Sequence, residues 1–209
     1  MIGVRSVLMS RFKQMSWRAR ISIMAAAILL ATVVIRTASD APEIALMIGE
    51  PWEAMRQRST ASIDPAIAGQ YWGRLPRSDA RLRFLHSQYG FVTPLARFFT
   101  VSFDNSALVR GVRISPQVEP LLLEDALEVV LDLQEQWRRG GWKPIRPPIE
   151  GTAEWRARLR DVNQGGTTYW QAGHLYQVML DVGRFRDDKR PKEERYLITL
   201  SIAKPWVKP

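Results

Sequence analysis

Cysteine is absent from the 209 residues, and histidine occurs only twice. The first absence excludes disulfides, thiolate metal sites, a cysteine nucleophile and the lipid-bearing cysteine of a bacterial lipoprotein. The second leaves His86 and His174 as the only imidazoles. They form no HExxH helix motif and no His pair, whereas a zinc site needs three or four ligands at useful spacing. Both read as surface or turn residues. No G-x-S-x-G elbow occurs, and Gly140-Gly141 and Gly165-Gly166 lack the lysine and the strand–helix context of a phosphate loop. The acidic pairs Glu124/Asp125 and Glu193/Glu194 fall at a helix start and in a charged loop. There they read as dipole complement and solvation. No cofactor motif, internal repeat or low-complexity tract is visible. A catalytic set that meets only in space remains open from sequence alone.

Acidic residues are also missing from one place. The chain carries 30 basic and 21 acidic residues, a net charge of +9. Residues 1–36 hold Arg5, Arg11, Lys13, Arg18, Arg20 and Arg36 and no acid, which leaves 37–209 with a net of +3. A nucleic-acid binder would want its basic stripe on the folded part. This balance argues against nucleic acid as the partner.

Ile21–Ile35 reads ISIMAAAILLATVVI between Arg20 and Arg36. As a helix it spans about 22 Å against a hydrocarbon core of about 30 Å. Snorkelling arginines and the interfacial Trp17 extend that reach. The long basic lead, and an Arg36 that interrupts the small-residue Thr37-Ala38-Ser39, favour an uncleaved signal anchor over a cleaved signal peptide. Charge asymmetry keeps the N-terminus in the cytoplasm and exports the rest. The expectation is a single-pass inner-membrane protein, with 1–36 as cytoplasmic segment and anchor. Residues 37–209 then form a periplasmic domain.

Within that domain, Ile44–Ile48 reads as a strand and Pro51 opens a short helix. Thr60–Asp79 reads as a long loop carrying Tyr71, Trp72 and Leu75. Arg81–Leu85 and Phe91–Thr93 are short strands. Phe99–Phe103 and Leu108–Ile114 alternate around Asp104-Asn105-Ser106 and make a hairpin. Leu121–Arg139 repeats its apolar residues at helical steps and stops at Gly140-Gly141. Thr152 caps a second helix, 153–162. Three strands follow: 167–171, 176–182 and 196–202. The fold class is α+β, an antiparallel sheet with helices packed on one face.

Eight tryptophans are present. Trp137 falls on the apolar helix face. Trp72 and Trp142 fall in Gly- and Pro-flanked loops, where a large ring needs a core socket or a partner. Tyr71, Trp72 and Arg74 are residue types that dominate interface energetics. In 185–195, FRDDKRPKEER, nearly every residue is charged, which suits an exposed hairpin loop that steers a partner. Asp187, Asp188 and Arg190 are its candidate contacts.

The segments IGEPWEAMRQRS, YGFVTPLARFFTVSFD, ISPQVEPLLLEDALEVVLDLQEQW and YQVMLDVGRF resemble small proteobacterial proteins with one membrane segment found at type VI secretion loci. Immunity proteins there guard the periplasm. The resemblance implies a non-enzymatic protein that binds and blocks a secreted toxin. An envelope-assembly or adaptor protein, and a periplasmic hydrolase, are the alternatives.

Overall fold

The fold comes from a computed structural model that describes residues 41–67, 69–161 and 163–208. The expected anchor, 21–35, lies outside the described residues. Among those described, no helix is long and apolar enough to cross a membrane. The contacts of Pro42–Pro209 close on themselves as one unit.

In chain order the elements are β1 (Glu43–Leu46), α1 (Trp52–Arg58), β2 (Trp72–Arg74), β3 (Arg81–Phe84), β4 (Phe91–Val92), β5 (Phe99–Phe103) and β6 (Val109–Ile114). Then come α2 (Leu123–Arg139), β7 (Lys143–Pro144), α3 (Ala153–Arg160), β8 (Gly166–Ala172), β9 (Tyr176–Phe185) and β10 (Arg195–Ala203). Seven strands form an antiparallel sheet in the order β2-β5-β6-β10-β9-β8-β7. The α+β reading with a large antiparallel sheet therefore holds. It leaves out β2 and β7 at the two rims, and a second small sheet of β1, β3 and β4 in which β1 and β3 run parallel. A parallel pair formed around a helix and a long loop leaves no hairpin signal in the sequence.

Strand alternation sets the core. Phe99, Val101 and Phe103 of β5 are buried, as are Val178, Leu180 and Val182 of β9 and Tyr196, Ile198, Leu200 and Ile202 of β10. The register stacks these on one face: Leu200 pairs with both Ile114 and Leu180, and Val178 pairs with Trp170. α1, α2, α3 and β3 pack against that face. Trp52 of α1 meets Phe103 edge-on at 4.9 Å, Trp137 of α2 meets Trp170 at 5.7 Å, and Phe84 of β3 meets Tyr176 at 5.0 Å. α3 comes so close over Gly166 that a Cβ there would sit 3.0 Å from Leu159 Cδ2. Trp142 is buried and donates its indole N–H to the Tyr89 carbonyl at 3.2 Å, so its loop is pinned to the core.

The helix ends follow local chemistry. Gly141, at φ +81°, ends α2. Its N–H donates to the Arg138 carbonyl and that of Trp142 to the Trp137 carbonyl, the paired bonds of a Schellman motif. The Thr152 hydroxyl accepts the N–H of Trp155 and caps α3.

Buried and half-buried glutamines join segments that no ladder joins. Gln134 pairs through both amide atoms with the backbone of Ile149, and Gln136 does the same with Val92. Gln177 accepts the N–H groups of Trp206 and Val207 and donates to the Val207 carbonyl. Each side-chain amide supplies one donor and one acceptor, the complement of a peptide unit.

Candidate functional site

Among the described residues, no helix packs on the opposite face of the large sheet. Toward β2 that face carries the small residues Gly73, Thr100, Ser102 and Gly111, with Arg113 between Thr100 and Ser201. Its rim at β2 carries the most exposed aromatic pair of the fold: Trp72 keeps 60% and Tyr71 53% of its surface. The expectation of an unbroken loop over 60–79 is corrected here, since Trp72–Arg74 is a strand with Trp72 opposite Phe103. Gly73 makes that pairing feasible, because a Cβ there would lie 2.9 Å from Thr100 Cγ2. The backbone of the corner is thus fastened to the buried Phe103 while both rings remain outside. They and Gly73, Thr100 and Ser102 line a shallow depression of about 460 Å³.

Arg74 behaves differently. It is half-buried and donates Nε to the Pro65 carbonyl at 3.3 Å, which holds the 60–70 loop to β2. The cation at the corner is Arg110 instead, its guanidinium carbon 4.7 Å from the Tyr71 ring centroid. Arg110 also lines a cleft of about 450 Å³ with Asp104, Lys204 and Trp206. Sequence reasoning passed over Arg110, Lys204 and Trp206. The one signal for Arg110 was its place at the start of an alternating strand next to a hairpin turn.

The second predicted patch sits elsewhere. Arg74, Val101, Val112 and Ile202 share one rung. The β9–β10 loop begins at Arg195, about 23 Å farther along β10 at about 3.3 Å per residue. The structure does not bring the two patches together. Nor is the loop exposed throughout, as its charge had suggested. Asp187 keeps only 7% of its surface, and its Oδ1 accepts the Lys189 N–H at 2.9 Å. Arg190 hydrogen-bonds to Glu119, and that bond and the charge of Arg190 hold the Glu119 carboxyl below its ordinary range. Arg195 donates to the Pro120 carbonyl at 3.2 Å. The charges of this loop are largely spent on its own folding; Asp188 alone of the three candidate contacts is fully outside, at 94% side-chain exposure.

Neither histidine sits in a polar pocket. His86 Nδ1 accepts the N–H groups of Gln88 and Tyr89 at 3.2 and 3.1 Å, a turn-closing role. His174 is exposed in the turn after Gly173, whose φ is +54°. Among the described residues no group of three or more His, Asp or Glu is placed to hold a metal ion. Glu124 pairs with Arg156 at 2.8 Å, which lowers the Glu124 pKa. Glu194 accepts the Tyr196 hydroxyl at 2.7 Å.

No family model, no curated protein and no solved structure matches this chain. The site therefore rests on its own chemistry: an aromatic corner on a sheet rim, with a cation clamped to one ring.

Proposed function

We propose that this chain is a membrane-anchored binding protein, and that its folded part docks a partner protein at the β2 corner. The observation that carries this is the exposure of Trp72 and Tyr71 on a backbone locked to the core. Rigid, amphipathic rings of this kind lose little entropy on binding and dominate interface energies.

The two rims of the sheet support the choice. β7 ends it on one side with Lys143–Pro144, and proline offers no N–H to a further strand. β2 ends the other side with Trp-Gly-Arg and no such block. The basic lead and apolar run at 21–35 support an anchor with the folded part in the periplasm. The resemblance to type VI immunity proteins suggests a toxic effector as the partner, blocked by occupation of its working surface.

The test is a photo-crosslinking amino acid placed at position 72 of the full chain in cells, with the adduct identified by mass spectrometry. A discrete adduct with one protein, absent when the probe replaces the exposed Arg139 of α2, is the expected result. Uniform background at both positions would end the docking proposal.

A further inference from the structure

We infer that the partner presents a carboxylate side chain beside an apolar one, the carboxylate seated between Arg110 and Lys204 and the apolar group on Tyr71 and Trp72. This rests on the docking proposal above and names the chemistry of its occupant.

Many cations of the fold are paired, whereas Arg110 and Lys204, unpaired with any acid among the described residues, line the same cleft. Arg58 meets the buried Glu50, Arg156 meets Glu124, and Arg190 meets Glu119. Among the described residues Arg110, Arg113 and Lys204 have no carboxylate partner. Asp104 is the only acid lining the cleft, and its Oδ1 already accepts the N–H groups of Ser106 and Leu108 at 2.9 and 3.0 Å. Strands β2, β5, β6 and β10 contain no Asp or Glu at all. Apart from Asp104, these four strands and the cleft beside them carry only positive charge, although 37–209 as a whole is nearly balanced.

The geometry adds direction. The Tyr71 ring holds Arg110 by its face, which leaves the in-plane N–H donors of the guanidinium for an acceptor. Gln177 ties the backbone of Trp206 and Val207 to the sheet, so the Lys204–Trp206 wall of the cleft is held in place before any partner arrives. Tyr71 also lines the depression with Trp72 and Gly73, so the Arg110 stack and the depression share that ring. A carboxylate and an apolar group a few residues apart on one partner loop would fill both. A nucleic-acid phosphate would also satisfy the cations, but the near-balanced charge of 37–209 argues against a polyanion, and competition by an oligothymidylate tests it.

The experiment selects a random dodecapeptide phage library against the full chain in zwitterionic detergent. Enriched peptides are expected to carry Asp or Glu within a few residues of an aromatic or Leu. Their binding should fall at least tenfold in R110E/K204E and in the milder R110Q/K204Q, and stay unchanged in R139E. Enrichment without acidic bias, no enrichment, or equal binding to R110E/K204E would each overturn the inference. So would displacement of the peptides by a twelve-residue oligothymidylate at lower concentration than by free acidic peptide. A discrete crosslink at position 72 together with any of those outcomes removes this inference and leaves the docking proposal standing. Background crosslinking at 72 removes both.

Discussion

The side-chain amide of Gln117 donates to the Tyr196 carbonyl at 3.0 Å, while its oxygen accepts the N–H of Ile198 at 2.8 Å. β6 ends at Ile114, opposite Leu200, and the next backbone contact with β10 is the Leu121–Tyr196 bridge. Gln117 fills the gap between them and is 95% buried. Replacing it with Leu leaves the Ile198 N–H without a partner, at about 1–3 kcal/mol before relaxation, while the Tyr196 carbonyl keeps the Leu121 N–H at 3.0 Å. Q117L is expected to lower the urea midpoint by the equivalent of about 1–3 kcal/mol with little change in slope. A midpoint within error of wild type would show that water replaces the amide.

Tyr196 gives the fold an alkaline limit. Burial first, then the hydrogen bond to Glu194 and the charge of Glu194, raise its pKa, and burial alone raises that of Tyr176. A raised pKa means that the neutral phenol is favoured in the folded state. That contribution is complete below the unfolded value of about 10 and is lost as pH climbs through the higher folded values. The melting temperature should hold to about pH 10 and then drop, and Y196F should flatten the drop. An identical alkaline limb in Y196F would place the loss elsewhere.

Trp72 is expected to separate binding from folding. Its ring is mostly in solvent, so W72A should melt within about 2 °C of wild type while weakening partner binding by about 2 kcal/mol or more. A melting drop of many degrees would make Trp72 a structural residue and void the surface map.

Gln177 should control the segment after β10. Q177A removes the acceptor shared by the Trp206 and Val207 N–H groups. Hydrogen exchange at both amides should accelerate at least tenfold, with exchange in the centre of β10 unchanged. Protection that survives the substitution would mean that packing of Trp206 near Tyr169, not the amide, holds the segment.

The membrane topology has its own measurement. Alkaline phosphatase fused after Pro209 should be active and sediment with membranes. Activity in the soluble periplasm would mean cleavage, and inactivity would mean the opposite orientation.

Much of the sheet was legible because its strands alternate against one core. Val178, Leu180 and Val182 on β9 and Ile198, Leu200 and Ile202 on β10 all point inward as their spacing requires. α2 was legible from Leu133 and Trp137 on one face and Gly140-Gly141 beyond it. What failed to show depends on contacts between distant segments. β2 has three residues and no alternation long enough to read, and it exists because Gly73 lets it lie against Thr100. Asp187 looks solvated in a run of charge, yet local backbone donors and Arg190 draw it inward. Of the site, Tyr71 and Trp72 were visible as residue types. Arg110 was not, since a cation acquires meaning only from the ring it lies on and the carboxylates it lacks.

The position of β10 in the sheet governs when this protein can fold. It is the last strand in chain order among the described residues, and it lies between β6 and β9. As the chain is made, the β5–β6 and β8–β9 hairpins can zip locally, but each then waits with one bare edge for a strand not yet synthesised. Until Arg195–Ala203 arrives, two unpaired edges are open to strangers. A chain stopped before Arg195 should therefore aggregate instead of merely losing stability. In the cell, the hazard of this architecture is the interval between making β9 and making β10.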